Sequence, residues 1–296
     1  MSRFTACCLA VLMLAGCGRG REAVRGLDQL RQAPLHTFNE QEIDGYLRWL
    51  SGQELSRPER VALLARQTIG QPYRLGVLGE FPFELYDPDP LYNLSAADCV
   101  TFVEQTYALA LARDWGSFMR TLQSIRYQEG TIGLLTRNHF MEADWNVNNA
   151  WLFDDVTKTV AGDVGVRPMC TRVDRRALLA RYGVECDAPL QFWEDSYIAR
   201  DALPASLQGI KAGDLIEIVK GDADWQYVSH VGILLRDAAD RVTMVHATKP
   251  AVREQALEDY FAAHADILGF KLLRLRLHGR SPGPTPLPMA KAASGH

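Results

Sequence analysis

The chain has 296 residues, 47% of them hydrophobic and 23% charged, which suffices for one large domain with a substantial core or two small ones. Its formal net charge is −4 and it carries no block of lysine or arginine, so nucleic acid is not an expected partner, because phosphate binding needs a basic footprint. No segment beyond the first 17 residues is long and apolar enough to span a bilayer as a helix.

Residues 1–17 read as an export signal: Arg3 is the only charge before an apolar run, Phe4 to Ala15, that ends in small residues. The ending Leu14-Ala15-Gly16-Cys17 resembles the bacterial lipobox, which implies cleavage before Cys17 and lipidation of that cysteine. With Gly18 following, the resemblance implies a lipoprotein at the periplasmic face of the outer membrane. Residues 18–36 read as a linker from that anchor. Helical patterns follow over 37–49 and from Ser56, where Ser56 and Glu59 make a capping box and Pro58 falls in the first turn. Gly, Pro and Asp then dominate from Tyr73 to Leu94, which is expected to be a long loop. Ser95-Ala96-Ala97-Asp98 resembles a capping box and would place Cys99 in the first turn of a helix running to Ala112. Val103, Tyr107, Ala110 and Leu111 would form its buried face. Another helix is expected over 116–127, and a further one over 173–182, ended by Gly183. The stretch between them, 131–169, fits no single period.

Beyond Gly213 the pattern changes to short, turn-bounded apolar runs: 214–219, 228–235, 241–246 and 269–275 are expected strands. Alternation puts His230, Gly232 and Leu234 on one face of the second, and Val242, Met244 and His246 on one face of the third. If these strands pair antiparallel through a hairpin at Asp237–Asp240, the two imidazoles meet, and Gly232 lets a neighbour approach closely. The proline-rich tail, 279–296, is expected to be disordered.

Cysteine at a helix start experiences partial positive charge that favours thiolate, and a thiolate beside a base is a nucleophile. Cys99 with two distant strand histidines is therefore a candidate triad for amide or ester chemistry. Three cysteines remain after the signal; Cys170 and Cys186 are close enough in sequence to close a short loop, leaving Cys99 free. There is no Cys-x-x-Cys and no closely spaced histidine pair, so no zinc site and no cofactor are expected. Asn138, His139, Asp144 and Trp145 form a polar and aromatic group suited either to a sugar or peptide subsite or to a capped loop around a buried tryptophan.

Asp98-Cys99, then Ser229-His230-Val231-Gly232-Ile233, then Val245-His246-Ala247, is similar in order to the NlpC/P60 superfamily of cell-wall cysteine peptidases. Pro72-Tyr73-Arg74-Leu75-Gly76 resembles the Pro-Tyr-x-x-Gly that precedes the nucleophile there. The longer Asp98-Cys99-Val100-Thr101-Phe102-Val103-Glu104, with a later Asn138-His139-Phe140, resembles the DUF1460 branch, described as N-acetylmuramoyl-L-alanine amidase-like. The resemblance covers most of 60–275. It implies an α+β fold with a papain-like core: the nucleophile helix packed on a small antiparallel sheet, with extra N-terminal helices, all within 37–278. It further implies Cys99 as nucleophile, His230 as base and then acid, and His246 as the orienting third member. The Cys99 amide and the Tyr73 hydroxyl would be oxyanion donors, with Asp98 in support, and Ser229 joins Asn138, His139, Asp144 and Trp145 as a candidate substrate-binding residue. The substrate would be a peptidoglycan-derived muropeptide. Members that recognise a free L-alanine amine have Asp-Cys-Ser, whereas this chain has Val100 in the serine's place, which favours the bond between N-acetylmuramic acid and L-alanine. The alternatives are a γ-D-glutamyl-diamino-acid endopeptidase on the same fold, a transferase using the same thioester, and a non-catalytic cell-wall-binding lipoprotein.

Overall fold

Helices gather on one face of an eight-stranded antiparallel sheet, and a thinner layer covers the other. The computed structural model describes residues 24–162 and 165–277. The expected signal, Cys17, the first part of the linker and the tail from 279 lie outside them. Helices α1 (Leu27–Leu30), α2 (Glu40–Ser51), α3 (Arg57–Gln67), α4 (Cys99–Leu111) and α5 (Trp115–Arg126) come first. A π-turn over Met141–Trp145 leads through α6 (Asn146–Asn148) to β1 (Phe153–Asp155), α7 (Thr157–Ala161) and β2 (Val166–Val173). Then come α8 (Arg175–Ala180), β3 (Gln191–Ala199), α9 (Leu203–Ser206), β4 (Leu215–Gly221), β5 (Gln226–Arg236), β6 (Val242–His246), β7 (Arg253–Ala256), α10 (Leu257–Ala263) and β8 (Gly269–Leu275).

The strands run in the order β2-β3-β8-β4-β5-β6-β7, with β1 on β8, and every pair is antiparallel. Period-two alternation divides the sheet between two cores. Leu215, Val231, Ile233, Leu235, Val245 and Leu273 pack against α2–α5, while Ile216, Ile218, Leu234, Met244, Phe270 and Leu272 pack against α10. Helix α4 is the hub of the first core: all ten residues from Thr101 to Ala110 are buried, so it has no solvent face. The expected one-sided stripe was too narrow, and Leu111 is only half-buried.

Two expected boundaries move. Part of the expected linker docks on the domain: Leu30 and Leu35 are buried in the first core, Arg25 pairs with Glu42 at 2.7 Å, and Gln67 donates to the carbonyls of Leu30 and Ala33. The expected helix over 173–182 shortens to α8, because Val173 is the last residue of β2 and Asp174 caps the helix by accepting from the Ala177 amide. The β2–β3 hairpin itself carries no apolar alternation, since Phe192 and Trp193 face solvent. Among the described residues no helix is long and apolar enough to cross a membrane.

Candidate active site

The Asp98 carboxylate begins the site. It accepts the Thr101 amide at 2.8 Å while Thr101 Oγ1 accepts the Asp98 amide at 2.9 Å, a reciprocal cap that makes Cys99 the first residue of α4. The cap is therefore Asp98, not Ser95, whose hydroxyl instead donates to Asn93. The second Asp98 oxygen accepts the Gly76 amide and ties the long loop to the helix start. Just before it, Tyr73 bridges to Ala97 and its amide donates to the Pro250 carbonyl, so Tyr73 stands beside Cys99 despite the 25 intervening residues.

The sheet supplies the other half. A bulge in β5 leaves Ser229 as the extra residue between the Val219–Val228 and Ile218–His230 pairs. Its hydroxyl donates to the Ile218 carbonyl. Pairing of β5 with β6 stops at Ile233–Val245, and beyond that point the Val231 amide is directed at the Cys99 sulfur. On the same strand pair His230 Nε2 and His246 Nδ1 lie 2.7 Å apart, the meeting that alternation predicted. Gly232 makes it possible: a Cβ there would stand 2.8 Å from Met244 Cγ and 3.1 Å from the Val245 carbonyl oxygen.

Electrostatics departs from the sequence expectation. Burial and the adjacent Asp98 carboxylate push the Cys99 thiol up to about 11, against the amides of Val231, Val100 and Cys99 itself. Burial, then His264 and Lys220, lowers His230 to about 4; burial, then His230 and Arg253, lowers His246 to about 3. At neutral pH the site holds a neutral thiol and neutral imidazoles. Low dielectric and a like charge outweigh the helix-end field.

Three residues that sequence reading passed over complete the cluster. Tyr260 on α10 stacks its ring over His230 (centroids 6.1 Å apart), meets His246 edge-on at 5.3 Å and packs on His264 at 4.4 Å. Burial and the nearby Cys99 push its phenol up to about 12. Gln255 lies on β7 beside His246. The signal for α10 was present in the spacing of Leu257, Tyr260, Phe261 and His264, one side of a short helix.

The group around 138–145 lies in a different setting. Asn138 donates to the Ile125 carbonyl and accepts from Asn148; His139 Nε2 meets the Leu134 carbonyl. Asp144 caps the amides of His139 and Phe140 and pairs with Arg175, while the wholly buried Trp145 donates to Glu104, itself paired with Arg126. These bonds all run to other groups of the chain itself. Cys170 and Cys186 are free thiols, so no bridge closes that loop.

The capped helix start and the hydrogen-bonded pair of strand histidines sit on a mixed helix and antiparallel-sheet frame; a family match gives this frame a cell-wall, amidase-like class. The chain belongs to the AmiA-like family, described as N-acetylmuramoyl-L-alanine amidase-like, which matches residues 63–266. The fold is similar to that of a Legionella pneumophila protein assigned to DUF1460, with 22% identity, a TM-score of 0.70, and 80% of this chain and 94% of that one covered. It is also similar to an N-acetylmuramoyl-L-alanine amidase from Bacteroides uniformis, with 24% identity, a TM-score of 0.60, and coverage of 74% and 99%. No curated protein matches the sequence.

Proposed function

We propose that the protein is a cysteine amidase of the NlpC/P60 type that hydrolyses the bond between N-acetylmuramic acid and L-alanine in peptidoglycan fragments. The observation that carries the reading is the His230–His246 contact at 2.7 Å, formed beside a strand amide aimed at the sulfur of Cys99. His246 occupies Nε2 of His230 and leaves Nδ1 as the base. Cys99 attacks the carbonyl carbon of the muramoyl lactyl group as His230 takes the thiol proton. The tetrahedral oxyanion is held by the Cys99 amide and the Tyr73 hydroxyl, the donor kind that such an intermediate needs. Collapse passes the proton from His230 to the alanine nitrogen and releases the stem peptide. Water, deprotonated by His230, then cleaves the thioester and restores the thiol. His246 holds the His230 ring in the productive tautomer.

Val100 offers no polar atom to a free alanine amine, which supports cleavage at the sugar side over cleavage within the stem peptide. Residues 1–17 read as a lipoprotein signal, so we place the enzyme outside the cytoplasm, held to the periplasmic face of the outer membrane through Cys17. Mass spectrometry of defined muropeptides tests the reaction, with Cys99→Ala as control. Intact stem peptide and free sugar are expected from the wild type and neither from the variant. Fragments containing L-alanyl-D-glutamate would place the cut inside the peptide, and absence of turnover under reducing conditions would favour a binding protein.

A further inference from the structure

His246 has one ring nitrogen accounted for and one not. Nδ1 meets His230, while Nε2 is buried and makes no hydrogen bond of normal geometry. A buried imidazole nitrogen without a partner leaves the ring free to flip or change tautomer, and either would undo its hold on His230. The register of β6 with β7 names the neighbours able to supply a partner. Arg253 is directly opposite His246, and Gln255 is directly opposite Met244. Met244 and His246 share a face, so Gln255 is the diagonal neighbour of His246 on that face, within reach of a long side chain.

The chemistry separates the two candidates. For His230 Nδ1 to act as base, the neutral ring must carry its proton on Nε2 and donate to His246 Nδ1. His246 must then carry its own proton on Nε2 and donate outward. Arg253 has no acceptor and the Gln255 amide oxygen does. We propose that Gln255 is a positioning residue, whose Oε1 accepts from His246 Nε2 and fixes the direction of a chain from His230 through His246 to Gln255. This rests on the reading of His230 as the base. The proximity also registers electrostatically, because Gln255 opposes the lowering of the His246 pKa. The other groups facing the pair act against protonation: Arg253 from β7, Lys220 from β4, and His264 at the end of α10, the helix that also presents the neutral phenol of Tyr260.

The test is nitrogen-15 NMR of the histidine rings in the full chain, joined to kinetics on a muropeptide, for Gln255→Leu and Gln255→Glu. The wild type is expected to show both His230 and His246 protonated on Nε2. Gln255→Leu is expected to mix the His246 tautomers and lower kcat roughly 10-fold with KM unchanged. Gln255→Glu keeps an acceptor and adds negative charge, so it should restore kcat and move the acid limb of kcat/KM to higher pH. Wild-type tautomers and kcat in Gln255→Leu would overturn the proposal. If Gln255→Leu does not fold, an unmoved acid limb in Gln255→Glu would overturn it instead. The NMR readout needs no substrate. A chain without amidase activity but with Gln255-dependent tautomers would therefore sink the proposed reaction while leaving the positioning role intact.

Discussion

Cys99 sits between two opposing fields. The α4 N-terminus and three backbone amides favour thiolate, but burial and the Asp98 carboxylate next to it prevail. The proposed chemistry therefore starts from a thiol and a neutral His230, with the proton moving during attack rather than before it. Alkylation of Cys99 by iodoacetamide, followed by peptide mapping, is expected to rise about tenfold per pH unit from pH 7 to 10. A plateau already reached at pH 6 would mean a preformed ion pair. Asp98→Asn removes the like charge while asparagine still caps the Thr101 amide. Its labelling curve should shift to lower pH, and the lost Gly76 bond should cost about 1 kcal/mol of stability. A curve that stays in place would show that burial alone raises the thiol.

At the scale of elements, β5 and β6 approach closely because residue 232 lacks a side chain. Gly232→Ala would put its new Cβ against Met244 Cγ and the Val245 carbonyl, and the strands must separate. Overpacking of this kind costs about 1–3 kcal/mol, and the separation pulls His246 away from His230. Loss of most amidase turnover with the fold retained is the expected result. Met244→Ala in the same chain should recover part of it, and unchanged turnover in Gly232→Ala would show that the pair tolerates a wider gap. This element was legible in the sequence because alternation along two short apolar runs sets which side chains share a face. The capping box at Ser56 likewise located α3, where Ser56 accepts the Glu59 amide, while the caps that Asn39 and Asp114 provide for α2 and α5 were not read from the sequence. The β2–β3 hairpin was not legible, because Pro168, Arg172, Phe192, Trp193 and Glu194 give it no alternating pattern. Its support comes instead from distant groups, with Gln226 accepting the Cys170 amide at 2.9 Å. Tyr260 and Gln255 were hidden for a related reason. Their role depends on how α10 and β7 fold back over His246, and the helical spacing of Leu257, Tyr260 and Phe261 marks a buried face without saying what it is buried against.

Across the whole molecule, buried titratable groups set opposite slopes of stability against pH. Burial lowers His139 and His230 to about 4 and His246 to about 3. An unfolded histidine takes up its proton near pH 6.5, so the unfolded state binds more protons below that value. This contribution is complete only well above pH 6.5 and is lost on acidification, on the order of 3 kcal/mol for His230 by pH 4. Glu217 acts in the other direction. Its side chain is fully buried, its Oε1 has no hydrogen-bond partner, and burial pushes it up to about 8 although Lys271 pulls downward. Folding holds a proton on Glu217 that the unfolded chain releases near pH 4.5, so its contribution fades as pH rises towards 8. Between pH 6.5 and 8 the loss amounts to about 2 kcal/mol. The buried Glu142, raised mainly by burial, adds to the same slope. The histidines still regain about 0.4 kcal/mol each above pH 6.5, where the unfolded ring is half protonated, so calorimetric Tm is expected to peak near neutral pH and to fall on both sides, by only about 1–2 °C towards pH 8. Glu217→Gln replaces the protonated acid with a neutral side chain of the same shape and should flatten the alkaline side while leaving the acid side steep. An equally flat alkaline side in the wild type would mean that Glu217 is ionised in the folded protein, with Lys271 as its effective counter-charge.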